Sequence, residues 1–268
     1  MSKRNSQEAK RNARERLRAE REQQARKDKR RRQLGVVGAV VGVLAIVGGI
    51  GYALTQMGDP WDKAADAELV LPEHTSGEKG TTILIGDENA EKTLTVYEDM
   101  RCPACAAFEQ SAGTTLKQDV EDGKYQVSYV MATFIDNMAR GEGSKNALSA
   151  LGAALDVSEE AFMEYKFALY SEENHPQESA DEFADDAYLL DVANEVDALK
   201  DNAEFEQHVK DGTFDRWALE ASKRFDDNKD GITGTPALVM DGEKLEIPNM
   251  PAPSPEQFTQ AIDEALKK

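Results

Sequence analysis

Hydrophobic and polar positions along this chain change their period several times, and each change predicts an element. Residues 34–54 are 21 consecutive positions without a charge, rich in Val, Ile, Leu, Ala and Gly. As a helix rising about 1.5 Å per residue they span roughly 30 Å, the thickness of one bilayer core. From 55 to 80 the periodicity is lost, and Pro60, Pro72, Ser76 and Gly77 punctuate a predicted linker. Residues 81–85 and 94–98 (LTVYE) read as short strands, 103–120 as a helix with Pro103 in its first turn, and 126–134 (QVSYVMATF) as a third strand. Strand, helix, strand in that order predicts a parallel β-α-β unit.

Between 140 and 227 the period becomes helical. Phe162, Tyr165 and Leu169, and then Phe183, Ala187 and Leu190, fall on single helix faces, and Ser179 with Glu182 has the pattern of a capping box. Phe214 and Trp217 belong to the core of this helical stretch. Residues 237–240 and 244–247 around Asp241-Gly242 predict a β-hairpin, and Ser254-Pro255-Glu256-Gln257 predicts the capped start of a last helix. The chain therefore divides into a tail (1–33), a membrane helix (34–54), a linker (55–80), an α/β domain (81–139 with 228–268) and an inserted helical subdomain (140–227).

Charge gives this plan a direction. The formal net charge of −19 averages +9 over residues 1–33, zero over 34–54 and −28 over 55–268. Arg26, Lys27, Lys29, Arg30, Arg31 and Arg32 precede the apolar run and Asp59, Asp62 and Asp66 follow it, so the positive-inside rule predicts a cytoplasmic N-terminus and an acidic domain outside. A cleaved signal peptide has a short basic region, an apolar core of roughly 7–15 residues and an A-x-A-like end, none of which is present. The run reads as an uncleaved single-pass anchor in the cell membrane. Gly38 and Gly42 form a G-x-x-x-G that permits close helix approach, so the chain is expected to be a monomer or a weak dimer. The basic tail reads as a topology determinant.

Such a charge balance excludes nucleic-acid binding by the main domain. Two cysteines exclude a disulfide-stapled scaffold, and with His74, His175 and His208 they complete no familiar zinc spacing. Residues 226–231 imitate the start of a calcium loop, but position 12 of that pattern is Ala237 instead of a bidentate Glu, so they read as a polar turn. Residues 156–206 carry a net charge of −15, a solvated helical face that would also attract basic unfolded chains. Ile135 and Met138 are candidate apolar contacts for an unfolded peptide. No metal and no cofactor is expected.

Both cysteines lie in one C-x-x-C, Cys102-Pro103-Ala104-Cys105, at a predicted strand-to-helix junction. A sulfur at a helix N-terminus faces unpaired N–H groups and the positive end of the macrodipole, which favour thiolate over thiol. That effect reaches about 2 kcal/mol in favourable geometry, and at about 1.36 kcal/mol per pKa unit it moves the thiol by about one unit. Arg101 is a candidate for added positive charge. A purely structural disulfide closing so short a loop stabilises little, and an oxidising exterior argues against the remaining alternative of two unreactive thiols, so the pair reads as redox-active. Gly234-Thr235-Pro236 immediately precedes the 237–240 strand, where a cis Thr-Pro bond would turn the backbone of Thr235 toward the cysteines.

With these residues in place, the layout from about 78 to 268 resembles a thioredoxin-like fold carrying a helical insertion. It is similar to DsbA-like thiol-disulfide oxidoreductases, in particular the membrane-anchored actinobacterial type. The resemblance implies that Cys102 is the exposed nucleophile and Cys105 the buried resolving thiol, and that Thr235 and Pro236, with Gly234, form the platform for substrate peptide. It also implies reduced exported proteins as substrates and a membrane reoxidase as partner. Ala104 stands where family members often have His. Val96 stands where many thioredoxin-like proteins carry a buried acid, so proton transfer falls to Glu98 or Asp99, unless Asp99 caps the helix. The expected activity is oxidation of thiols in exported proteins. A reductase or isomerase of the same fold, or a non-catalytic binding or chaperone module, are the alternatives.

Overall fold

The computed structural model describes residues 60–227 and 229–268. The predicted tail and anchor lie outside the described residues, and among these no helix is long and apolar enough to cross a membrane. Five strands form one mixed sheet in the order β1-β3-β2-β4-β5: β1 (Ile83–Ile85), β2 (Thr93–Asp99), β3 (Gln126–Ala132), β4 (Ala237–Met240) and β5 (Glu243–Lys244). Central β2 runs parallel to β3, from Thr93 opposite Gln126 to Asp99 opposite Ala132, and antiparallel to β4. The expected β-α-β unit is therefore present.

Alternation along the strands sorts side chains to two faces. Leu94, Val96, Val127 and Tyr129 enter the main core. Tyr97, Val130, Ala237 and Val239 enter a smaller one on which Phe225 packs. On the main side, helices α2 (Pro103–Phe108) and α3 (Thr114–Glu121), joined by a π-helical turn at Glu109–Gly113, lie against the last helix, with the Phe108 and Phe258 rings 5.9 Å apart. The expected helix over 103–120 is thus continuous but not regular.

After β3 the chain enters helix α4 (Phe134–Ala139), so the predicted strand stops two residues early. The insertion then supplies α5 (Gly143–Val157), α6 (Glu159–Leu169), α7 (Asp186–Ala193), α8 (Ala203–Asp211) and α9 (Asp215–Asp226). Phe162, Tyr165, Leu169, Phe214 and Trp217 are all buried in it, as predicted, whereas the expected face of Phe183, Ala187 and Leu190 does not form: Phe183 is buried from a 3-10 turn outside α7, Ala187 is exposed and Leu190 half-buried. The Ser179–Glu182 box does not form: Glu182–Ala184 is a single 3-10 turn without a side-chain cap, and Asp185 caps α7 instead. Part of the stretch read as linker is folded, because Trp61 and Ala64 on helix α1 (Pro60–Asp66) are buried and the Trp217 indole N–H donates to Gly80 O at 2.7 Å.

The hairpin closes through Asp241 (φ 53°) and Gly242 (φ 78°), the two left-handed positions of a type I′ turn, but its second strand is shorter than predicted. Helix α10 (Pro255–Leu266) opens with the expected box: Ser254 Oγ accepts from Gln257 N, and Gln257 Oε1 accepts from Ser254 N. Lys229 and Asp230 lie in a turn, and Asp230 accepts from the Tyr97 hydroxyl at 2.5 Å.

Candidate functional site

The two sulfurs stand just past the C-terminal end of β2, where the chain turns into α2. Cys102 is the N-cap residue of that helix, with extended backbone, and its N–H donates to Asp99 O at 2.9 Å. Pro103 takes the first helical position, where a missing N–H costs nothing. Cys102 is 7% exposed and Cys105 0%, so the nucleophile expected to be exposed is the more accessible of two largely covered thiols. Both are free.

Their electrostatic settings are opposite. The Cys102 thiol is lowered from its ordinary value near 9 to about 6. The largest cause is a hydrogen bond from the Cys105 thiol, followed by Thr235 and by the N–H groups of Cys105 and Ala104 at the helix start. Burial pushes Cys105 well above its ordinary value; donation to Cys102 and the nearby Glu98 carboxyl push the same way. The pair thus holds one thiolate and one thiol.

Thr235-Pro236 is a cis peptide, as expected, and Thr235 O accepts from Cys102 Sγ at 3.6 Å. Thr235 Oγ1 is buried and holds no hydrogen bond of its own, which leaves it available to a charged sulfur. A side chain at Gly234 would meet nothing within 4 Å, so glycine there is not required by close approach.

Arg101 does not act as the predicted source of positive charge at the thiolate. It is 1% exposed, and its guanidinium turns away to Asp136 at 2.9 Å, Asp181 at 3.0 Å and Glu178 O at 3.0 Å. Two carboxylates absorb its charge. Its role is to tie the residue before Cys102 to the insertion. Asp99 does not cap the helix either. Its carboxylate accepts from Arg101 N at 3.0 Å, Ile135 N at 3.1 Å and Ser144 Oγ at 2.6 Å, and burial raises its pKa to about 6. Ile135 is buried beside it and cannot touch a peptide, whereas Met138 is 72% exposed.

Several residues of the site carry no motif. Tyr170 Oη donates to Asp99 O at 3.0 Å and His175 Nε2 to Met100 O at 3.0 Å, so the insertion holds the loop into Cys102 from the side. Glu98 lies behind Cys105, fully buried, with Lys166 Nζ donating to its Oε2 at 3.1 Å. Burial raises Glu98 to about 8 against the pull of Lys166, placing it where a proton is exchanged near neutral pH. A signal for Lys166 exists in the sequence: it falls four residues after Phe162 on the apolar face of α6, where an unpartnered lysine is not tolerated. Among the described residues no group of His, Cys, Asp and Glu is placed to hold a metal ion.

A family model described as thioredoxin matches residues 78–264. The chain is 22% identical over 236 residues to the probable disulfide bond formation protein D of Bacillus cereus, covering 88% of this chain and 96% of that protein. Its fold is similar to MdbA, a thiol-disulfide oxidoreductase from Actinomyces oris (TM-score 0.58, 19% identity, 72% of this chain and 89% of that one). It is also similar to oxidised DsbA from Mycobacterium tuberculosis (TM-score 0.57, 22% identity, 70% and 93%). With the model spanning residues 78–264, a stretch that includes both the C-x-x-C and the cis Thr-Pro turn, the chain belongs to the thioredoxin family.

Proposed function

We propose that this protein is a thiol-disulfide oxidoreductase that introduces disulfides into exported proteins, held at the outer face of the cell membrane by residues 34–54. One observation carries the reading: Cys102 is a stabilised thiolate, at about 6, beside a Cys105 thiol held well above its ordinary value. Stabilising the reduced pair makes the corresponding disulfide a stronger oxidant, because exchange favours the sulfur that leaves most readily as thiolate. The names of the relatives, a disulfide bond formation protein and DsbA-type oxidoreductases, agree with that direction.

In the oxidised protein a substrate thiolate attacks Cys102 Sγ. A bond forms between substrate sulfur and Cys102, the Cys102–Cys105 bond breaks, and Cys105 leaves with its electron pair and takes up a proton. A second substrate thiolate then attacks the substrate sulfur of the mixed disulfide and expels Cys102 as thiolate. The substrate has lost two electrons and the protein has gained them. Glu98 is the group placed to give Cys105 its proton, and the Thr235 platform aligns the substrate strand. A membrane reoxidase restores the disulfide.

Changing Cys105 to Ser removes the thiol that releases trapped partners. Non-reducing gels of cells carrying Cys105→Ser are expected to show mixed disulfides between Cys102 and exported proteins. None would form on a binding module with an idle C-x-x-C. A reduction potential near about −120 mV is expected for a donor; one near about −270 mV would mean a reductant.

A further inference from the structure

A cleft of about 420 Å³ lies where the C-terminal end of α9 meets the residues leading into β1. Four cations reach it, Lys79, Lys223, Arg224 and Lys229, against two carboxylates, Glu220 and Asp227. Residues 55–268 carry a net charge of −28, so a local excess of two positive charges runs against the rest of the surface. The turn that imitates a calcium loop thus brings a cation, Lys229, to this place. Arg224 separates the cleft from a patch of surface lysines. It is half-buried, and its Nη1 donates to two main-chain carbonyls, Thr81 O at 3.3 Å and Tyr129 O at 3.4 Å, which fix the guanidinium without neutralising it. Glu220 is taken by Arg216 at 2.7 Å and Lys223 at 2.8 Å, and among the described residues no carboxylate pairs with Arg224. Burial lowers the guanidinium from its ordinary value, with Tyr97 acting the other way. A half-dehydrated charge costs free energy until an anion pairs with it.

We propose that this cleft binds a phosphate group, with Arg224 as the fixed fork and the exposed Lys79, Lys223 and Lys229 as point charges around it. A planar guanidinium pairs bidentately with phosphate oxygens, and an ammonium adds charge without demanding one direction. The excess of two positive charges matches the roughly 1.5 to 2 negative charges of a phosphate monoester near neutral pH, whereas a single carboxylate would leave one unmatched. Two sources offer this chemistry, a free phosphate and the headgroup of an anionic phospholipid. Cys102, Thr235 and Pro236 do not line the cleft, so the site stands independently of the thiol-exchange reading.

The test is lysine acetylation of the full-length protein in phosphatidylcholine nanodiscs, read residue by residue by mass spectrometry. Inorganic phosphate is added in one arm, and phosphatidylglycerol replaces part of the lipid in the other. Inorganic phosphate at about ten times its dissociation constant is expected to slow acetylation of Lys79, Lys223 and Lys229 together by about tenfold, and to leave the exposed Lys200 unchanged. Protection by phosphatidylglycerol without free phosphate would uphold the site and assign it to the membrane; protection by phosphate alone would uphold it as a site for a soluble ligand. Protection by neither overturns the proposal. Sodium chloride at matched ionic strength is expected to protect nothing, and protection equal to that by phosphate would reduce the effect to screening and overturn it as well. Arg224→Gln removes the fork and is expected to weaken phosphate binding by at least about tenfold; undiminished binding would overturn the site. Should that variant not fold, Lys79→Gln with Lys229→Gln changes only exposed side chains. Protection of Lys223 is then expected to need several-fold more phosphate, and an unchanged titration would overturn the proposal.

Discussion

Cys102 and Cys105 are three residues apart in the chain, yet the regions around them are built from different chemistry. In front of Cys102 the protein offers only dipoles: the Cys105 thiol, two helix-start N–H groups and the Thr235 platform, with no formal positive charge among the causes of its lowered pKa. Behind Cys105 it buries three ionisable groups, with the Lys166 ammonium 3.1 Å from Glu98 and 2.6 Å from Glu109. Dipoles stabilise a thiolate without fixing a counter-ion that an incoming substrate would have to displace. Buried charges hold and pass a proton but are costly to set up, which is why they sit where packing already excludes water. The difference teaches that thiolate stabilisation and proton handling are separable here, and that Ala104, in place of a cation, is compatible with the first.

Arg101 is the sharpest way to break that comparison, since it is the nearest guanidinium to Cys102 in sequence. Arg101→Met is expected to lower stability by about 3–5 kcal/mol in chemical denaturation, because Asp136 and Asp181 lose their partner, and to leave the Cys102 titration near its present position. A large rise in the Cys102 pKa with little loss of stability would return Arg101 to the thiolate and contradict the division drawn here.

How much of this could be read beforehand follows the range of each interaction. The capping box at Ser254, the turn at Asp241-Gly242 and Pro103 at its helix start are local, and their residues announce them. The β-α-β unit and the Thr235-Pro236 turn were legible for the same reason, each resting on a short pattern. Arg101 was misread because its partners lie 35 residues away at Asp136 and farther still at Asp181 and Glu178. Glu98 and Lys166 are 68 residues apart, so the buried triad had no local pattern beyond the oddity of a lysine on an apolar face. Ser179–Glu182 had the right letters, but the Asp181 carboxylate accepts from Glu142 N and Gly143 N across the insertion, and Asp185 provides the next cap.

A smaller effect refines the front of the site. Thr235→Val removes the hydroxyl and keeps the shape, so the Cys102 pKa is expected to rise by about one unit, the worth of a hydrogen bond to a charged group at about 1.5 kcal/mol. No change would remove Thr235 from the groups that stabilise the thiolate and leave the Cys105 thiol and the helix-start N–H groups to carry the effect.

The central claim is that only one of the two sulfurs is a thiolate at neutral pH. Because Cys102 is lowered on folding, the reduced protein binds fewer protons than its unfolded chain between about 6 and about 9; the stability this adds is complete above that window and is lost as pH falls through about 6. Direct titration of the thiolate absorbance in the reduced protein is expected to show a single sulfur ionising with a midpoint near 6, absent from Cys102→Ala, and no second ionisation until well above 9. Two sulfurs titrating together near the ordinary thiol value would contradict the account.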